Sequence, residues 1–192
     1  MSHSPRISLD AIVDAARELL ETRGVEGVTM REVARRLGVS APSLYFHVES
    51  RDDLLREIIT AGLRDLGTGQ VAAAAGKSPR AALHALADGY LSFGARNAAV
   101  YSLIMGPCPE GRMADGGLAA ASAQPLLTTV AKLVAPERVL AISQVFWALV
   151  HGFTSLIIAE QFRLGGDPPA AMHEAVDLLL AGLGVVDATA PR

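Results

Sequence analysis

Cysteine occurs once in the 192 residues, as Cys108. A single thiol excludes an internal disulfide framework and a zinc site built from cysteines. Aromatic residues are scarce at 5% and charged residues at 19%. With 51% hydrophobic residues, this composition excludes disorder and leaves material for a sizeable core. A basic excess is also missing, because the formal net charge is −3. That excludes a polycation coating nucleic acid or anionic lipid, so any DNA contact has to come from a local basic face. No nucleophile elbow, P-loop or dinucleotide fingerprint is present. His3, His47, His84, His151 and His173 are scattered, and no metal-ligand spacing appears. No catalytic residue, metal or cofactor is therefore expected. The opening MSHSPR lacks the basic-then-apolar layout of a secretory signal, so the expected compartment is the cytoplasm.

Long apolar runs are absent save one. Residues 139–159 (VLAISQVFWALVHGFTSLIIA) carry no formal charge and are long enough to span a bilayer at about 20 residues. Gln144 and His151 lie well inside the run and would each need a partner at mid-membrane. A helix covered by other helices or by a second subunit explains the run equally well. The covered helix, and no membrane, is the expectation.

What the sequence has is helical periodicity, rich in alanine and leucine, with no alternating strand pattern. The expected fold is all-α with about nine helices. Ser8 reads as the N-cap of a first helix, with Ile7 and Ile12 at staple spacing and Gly24 as the stop. Thr29-Met-Arg-Glu32 reads as a capping box opening a short helix that Gly38 ends. Ser40 caps a further helix over 41–47, where Pro42 is tolerated in the first turn. Ser50 and Asp53 form another box, and Leu54, Leu55, Ile58, Ile59 and Leu63 make the helix that follows amphipathic. The Gly/Ala stretch 67–77 is the expected seam between a domain at 1–50, with a linking fourth helix at 51–66, and a domain at 67–192. Further helices are expected over 79–97, 98–105, 118–134, 136–164 and 168–184. The loop at 106–117 carries Cys108, where a redox switch and an inert surface thiol both stay open and the lack of a resolving partner favours the second.

Residues 29–47 form two short helices joined by Leu-Gly-Val-Ser, the layout of a helix-turn-helix. Between 28 and 51 the bases Arg31, Arg35, Arg36 and Arg51 face only the acids Glu32 and Glu49, two more bases than acids. Thr29, Ser40, Ser43, Tyr45 and His47 are short donors suited to phosphate oxygens. A capped helix pair in an ordinary bundle with solvated arginines fits the same features, and periodicity and charge leave both open.

The stretch TMREVARRLGVSAPSLYFHVESRDDLL resembles the DNA-binding domain of the TetR family of transcriptional regulators. The resemblance rests on Thr29, Val33, Ala34, Leu37, Gly38, Val39, Ser40, Leu44, Tyr45, His47, Val48, Arg51 and Leu54. It implies a helix-turn-helix in residues 1–50 and a DNA interface of Thr29, Arg31, Ser40, Ala41, Pro42, Ser43, Tyr45, His47 and Arg51. Within that set, Thr29 caps the second helix against a phosphate, and Tyr45, His47 and Arg51 touch the backbone. Ala41 cannot read a base by hydrogen bonding, so groove shape contributes. Glu49 departs from the basic residue some relatives carry there.

Trp147, His151 and Gly152 resemble the Trp-His-Gly (WHG) subclass of the family's ligand-binding domains. Gly152 reads as a site of close helix approach. Tyr90, Phe93, Tyr101, Met105, Phe146, Trp147 and His151 are candidates to line an effector pocket, although such a stripe is core more often than ligand box. The expected protein is a cytoplasmic homodimeric repressor with no enzymatic activity. It would bind a palindromic double-stranded DNA operator and be released by a small, largely apolar effector. The rival is a helical ligand-binding or enzymatic domain that does not bind DNA.

Overall fold

A computed structural model describes residues 7–107, 112, 114 and 116–185. Among them the chain forms nine α-helices: α1 (Leu9–Gly27), α2 (Met30–Leu37), α3 (Ala41–Leu44), α4 (Arg51–Ala74), α5 (Pro79–Arg96), α6 (Ala98–Met105), α7 (Gly116–Val130), α8 (Val139–Ile158) and α9 (Pro168–Gly182). Cys108 lies outside the described residues. The helices gather into two compact units, one of residues 1–64 and 97–119, the other of 65–96 and 120–192.

Local chemistry starts and stops the helices of the first unit. Ser8 Oγ accepts the amide of Ala11, and Asp53 and Ser50 tie the start of α4: Ser50 Oγ accepts from Asp53 N, while the Asp53 carboxylate accepts from Glu49 N. At Gly24 the backbone turns to φ +68°, so α1 breaks there and continues as one further turn to Gly27. Gly38 adopts the left-handed conformation after α2, and Val39 N donates back to Ala34 O, a pairing that closes the helix end. Ile12, Leu19, Leu20, Val28, Val33, Leu44, Leu54, Leu55 and Ile58 are all but fully buried and form this unit's core. The unit also includes α6, whose amides at Ala99 and Val100 donate to the Glu21 carboxylate of α1, both at 3.1 Å. Asn97 supplies no side-chain cap, so a side chain 78 residues away in sequence caps this helix.

Several expected boundaries move. The Gly/Ala stretch is not a break: α4 runs through it to Ala74. Alanine favours helix there, and its glycine lets a neighbour come close, since a Cβ on Gly67 would lie 3.3 Å from Ser122 Cα of α7. The third helix ends at Leu44 rather than residue 47, and residues 45–47 form a turn. The long apolar helix ends at Ile158, well short of 164, and a 3-10 turn (Pro136–Arg138) precedes it.

The second unit is centred on α5, α8 and α9, which contact one another pairwise. Leu83, Leu86, Ala87, Phe146, Val150, Met172, Val176 and Leu180 make its core. On α8 only Ser143, Phe146, Val150 and Thr154 are buried, a single narrow stripe. The rest of this uncharged helix looks outward, and Leu140, Val145, Trp147 and Leu156 are 45–62% exposed.

Candidate nucleic-acid interface

Within the first unit, α2 and α3 are held at their apolar faces. Val33, Ala34, Leu44 and Val48 are buried, which leaves Arg31, Ser40, Pro42, Tyr45 and His47 exposed and Thr29, Ala41 and Ser43 half-buried. Thr29 Oγ1 accepts the Glu32 amide at 3.2 Å, so it caps α2 as expected. The return arm of that capping box differs from expectation. Instead of reaching back to the cap, the Glu32 carboxylate is taken by Arg23 at 2.9 Å and by Arg35 at 3.0 and 3.1 Å. The Arg35 hydrogen bond, helped by the charge of Arg23 and opposed by desolvation, holds the Glu32 carboxyl below its ordinary range.

Ser40 stands at the N-cap position of α3 without making the side-chain cap expected of it. Its hydroxyl donates to Ser43 Oγ, and Ser43 Oγ donates to the Ser40 carbonyl. No side-chain cap forms because Pro42 has no amide hydrogen and the Ser43 amide already donates to the Ser40 carbonyl at 3.0 Å.

The local basic excess is smaller than the sequence count implies. Arg35 is paired with Glu32 and Arg36 with Glu18. Arg51 turns toward the end of α1: Nε donates to Val28 O at 2.7 Å, Nη2 to Val25 O at 2.5 Å, and Glu26 lies 3.8 Å away. Val25 O already accepts the Val28 amide at the end of α1, and the Arg51 fork adds a second donor there and a donor to Val28 O. A cation at the start of α4 opposes that helix's dipole, so its place there is explained by the carbonyls it holds. Of the four arginines, Arg31 is exposed and forms no ion pair among the described residues.

Sequence reasoning missed Phe46. It is 86% exposed, between Tyr45 at 54% and His47, and just beyond the buried Leu44. The available signal was the spacing of Leu44 and Val48, which turns the three residues between them outward.

The expected effector residues divide between the units. Tyr90, Phe93, Phe146, Trp147 and His151 belong to the second, Tyr101 and Met105 to the first. Tyr90, Phe93, Tyr101 and Phe146 are buried. Trp147 Nε1 donates to Tyr90 Oη at 3.2 Å, and its ring stacks on His151 at 5.4 Å, so those three meet. Among the described residues a Cβ on Gly152 would meet nothing within 4 Å, so the expected close helix approach is not made there. A groove of about 590 Å³ in the first unit is walled by charged side chains including Asp14, Arg17, Glu18 and Arg36, and by none of the expected effector residues.

Residues 12–58 match the family of bacterial regulatory proteins named for TetR, and residues 83–179 match the tetracyclin repressor-like C-terminal domain, half of the chain. The chain belongs to the TetR family. It is a helix-turn-helix DNA-binding transcriptional regulator of that family, which is one of regulators and not of enzymes. The C-terminal match is to the general tetracyclin repressor-like domain and not specifically to the Trp-His-Gly subclass, which corrects the resemblance read at Trp147, His151 and Gly152. An uncharacterized HTH-type transcriptional regulator of Bacillus subtilis, YobS, is 27% identical over 94% of this chain and 95% of its own. The regulator SCO7222, a TetR from Streptomyces coelicolor, shares the fold at a TM-score of 0.74 and 22% identity, covering 93% of this chain and 99% of that one. A TetR variant from Acinetobacter baumannii AYE, solved in complex with minocycline, does so at 0.70 and 22%, covering 93% and 97%.

Proposed function

We propose that this regulator is a cytoplasmic homodimeric repressor that grips a palindromic operator and releases it when a small, largely apolar effector binds. In this reading residues 1–50 hold DNA, α4 links, and residues 67–192 dimerise and take the effector. The observation that carries it is the outward set at the helix-turn-helix: Arg31, Ser40, Pro42, Tyr45, Phe46 and His47 are exposed on a framework fixed by the buried Leu44 and Val48. Arg31, Tyr45 and His47 then contact phosphates, joined by the Thr29 hydroxyl at the N-terminus of α2. Ser40, Ala41, Pro42 and Ser43 meet the groove, and the Phe46 ring packs on sugar or a thymine methyl. Arg51 serves this interface through its hold on the end of α1.

Dimerisation has independent support. The segment Pro136–Ile158 is long and apolar enough to cross a membrane, yet only 22% of its most apolar window is buried within the chain. Leu178 of α9 is 65% exposed as well. Faces of this kind need cover, and a second copy provides it by a four-helix bundle of α8 and α9. The dimer also supplies two recognition elements for half-sites about 34–36 Å apart.

For the effector, the buried hydroxyls of Ser143 and Thr154 make no hydrogen bond among the described residues, and they share a face of α8 with Phe146 and Val150. Apolar surroundings with a few free polar groups suit an apolar molecule carrying one or two polar atoms. Ligand and operator then oppose each other by reciprocity.

The test is selection of genomic DNA fragments by the purified protein, followed by gel shifts on the recovered site. A palindromic site bound with a steep salt dependence is expected. Binding to no fragment, or a chain that stays in solution only with detergent, would overturn the reading.

A further inference from the structure

In the second unit, two histidines 89 residues apart in sequence meet ring to ring. His84 of α5 and His173 of α9 lie nearly parallel with centroids 5.0 Å apart and Nδ1 atoms 2.7 Å from each other, so the rings meet edge to edge close to one plane. Each outer nitrogen faces a carboxylate: His84 Nε2 lies 2.8 Å from Asp177 Oδ1, and His173 Nε2 lies 2.7 Å from Asp88 Oδ1. Arg80 closes the row, donating to Asp177 at 2.7 Å. Arg80, His84 and Asp88 are four apart on α5, and His173 and Asp177 are four apart on α9, so each helix offers one stripe to the other. These histidines are not scattered in space as they are in sequence.

Counting hydrogens fixes the state of the pair. An ionised carboxylate only accepts, so both Nε2 atoms carry hydrogen. The Nδ1 to Nδ1 contact needs a hydrogen on one side and a lone pair on the other. The two rings therefore hold three hydrogens on four nitrogens, one imidazolium and one imidazole. Together with Asp88, Asp177 and Arg80 the group is then neutral. Without the shared proton, two lone pairs face each other at 2.7 Å and the group is negative. With a second proton, two N–H groups collide and it is positive.

We propose that His84 and His173 form a single-proton clasp, which docks α9 on α5 while one proton is shared and loosens when that proton is lost or a second is gained. The other groups around it do not set this count. Glu174 is exposed on α9, and α8 carries no charged side chain and one titratable group, His151, which is engaged with Trp147 and Ser155. The part of α4 in this unit carries Asp65 alone. A metal ion is the competing electrophile between the two nitrogens. Tetrahedral zinc at its usual bond lengths would hold them about 3.3 Å apart, whereas 2.7 Å fits an N–H···N hydrogen bond. Among the described residues no group of three or more ligating side chains is arranged to hold a metal.

Imidazole-nitrogen NMR of the full chain, labelled with 15N on histidine, reads the clasp directly. Near neutral pH both Nε2 atoms should report as protonated, and the two Nδ1 atoms should show coupling across the hydrogen bond or shifts midway between the protonated and bare values. Both Nδ1 atoms bare, or both protonated, overturns the proposal. Thermal unfolding from about pH 5 to 8, the range in which histidine changes charge, is then compared with His84→Leu/His173→Leu, which keeps apolar bulk and removes all four nitrogens. The wild-type advantage in Tm should peak inside this range at about 2–4 °C and fall on both sides. A flat or one-sided difference overturns it, as does a zinc-dependent rise in Tm that the double variant lacks. If the double variant does not fold, the NMR measurement decides alone.

Discussion

Replacing Arg51 with alanine separates two roles for this side chain. As a phosphate contact it would be worth about one unit of salt slope and little stability. The structure instead has it donating twice to the carbonyls of Val25 and Val28. A hydrogen bond from a charged donor contributes about 1.5–3 kcal/mol, and a carbonyl left unpaired adds to the loss. The side chain is 31% exposed, so water replaces part of what is removed. We therefore expect Arg51→Ala to cost about 2–3 kcal/mol in denaturant unfolding, with operator affinity reduced at all salt concentrations and the slope unchanged. Arg51→Lys should recover only part of the stability, because an ammonium cannot span two carbonyls as the planar fork does. Chemical denaturation of both variants, with gel shifts between 50 and 200 mM salt as in ordinary slope measurements, provides the check. A variant of wild-type stability whose salt slope falls by one unit would refute the reasoning and return Arg51 to the phosphate backbone.

Tyr45→Ala, Phe46→Ala and His47→Ala should leave the fold within about 0.5 kcal/mol, since these side chains are exposed, yet weaken operator binding in gel shifts; unchanged affinity in all three would count against the interface. Ala148 is exposed on α8 within one chain, so Ala148→Asp should spare the monomer, abolish the dimer in sedimentation and weaken operator binding, and an intact dimer would count against the α8–α9 seam. Glu21→Ala removes the partner of two amides at the start of α6 and should cost about 1–2 kcal/mol on unfolding; a loss below about 0.3 kcal/mol would mean that water caps that end equally well. Because Arg35 and Arg23 hold the Glu32 carboxyl below its ordinary value near 4.5, its stabilising share is present above that pH and is lost as pH falls through the lowered value. Glu32→Gln should therefore flatten the acid limb of the stability curve, and an unaltered limb would show that the pairing adds nothing.

Much of the fold was readable from neighbours in sequence. Ser8, Thr29 and Ser50 act on amides three residues on, and Gly24 and Gly38 end helices by their own backbone angles. The buried faces of α1 to α4 follow from apolar spacing alone. The reading faltered where a residue's partner lies far along the chain. Gly67 seemed to mark a break because glycine is a poor helix former, but Ser122 makes a small residue useful inside α4. The arginines of α2 counted as free charge until Glu18 and Glu32 were found to hold two of them.

The sequence by itself determined an all-helical chain with a pair of short capped helices in its first third, because caps, stops and periodicity act over three or four residues. The resemblance over residues 29–54 made that pair a helix-turn-helix. Only the tertiary structure decided that Arg51 holds carbonyls 23 and 26 residues away, that Glu21 caps α6, and that His84 meets His173. Each of these depends on where two helices are brought side by side. Packing of the apolar faces sets that placement, and no local pattern records it.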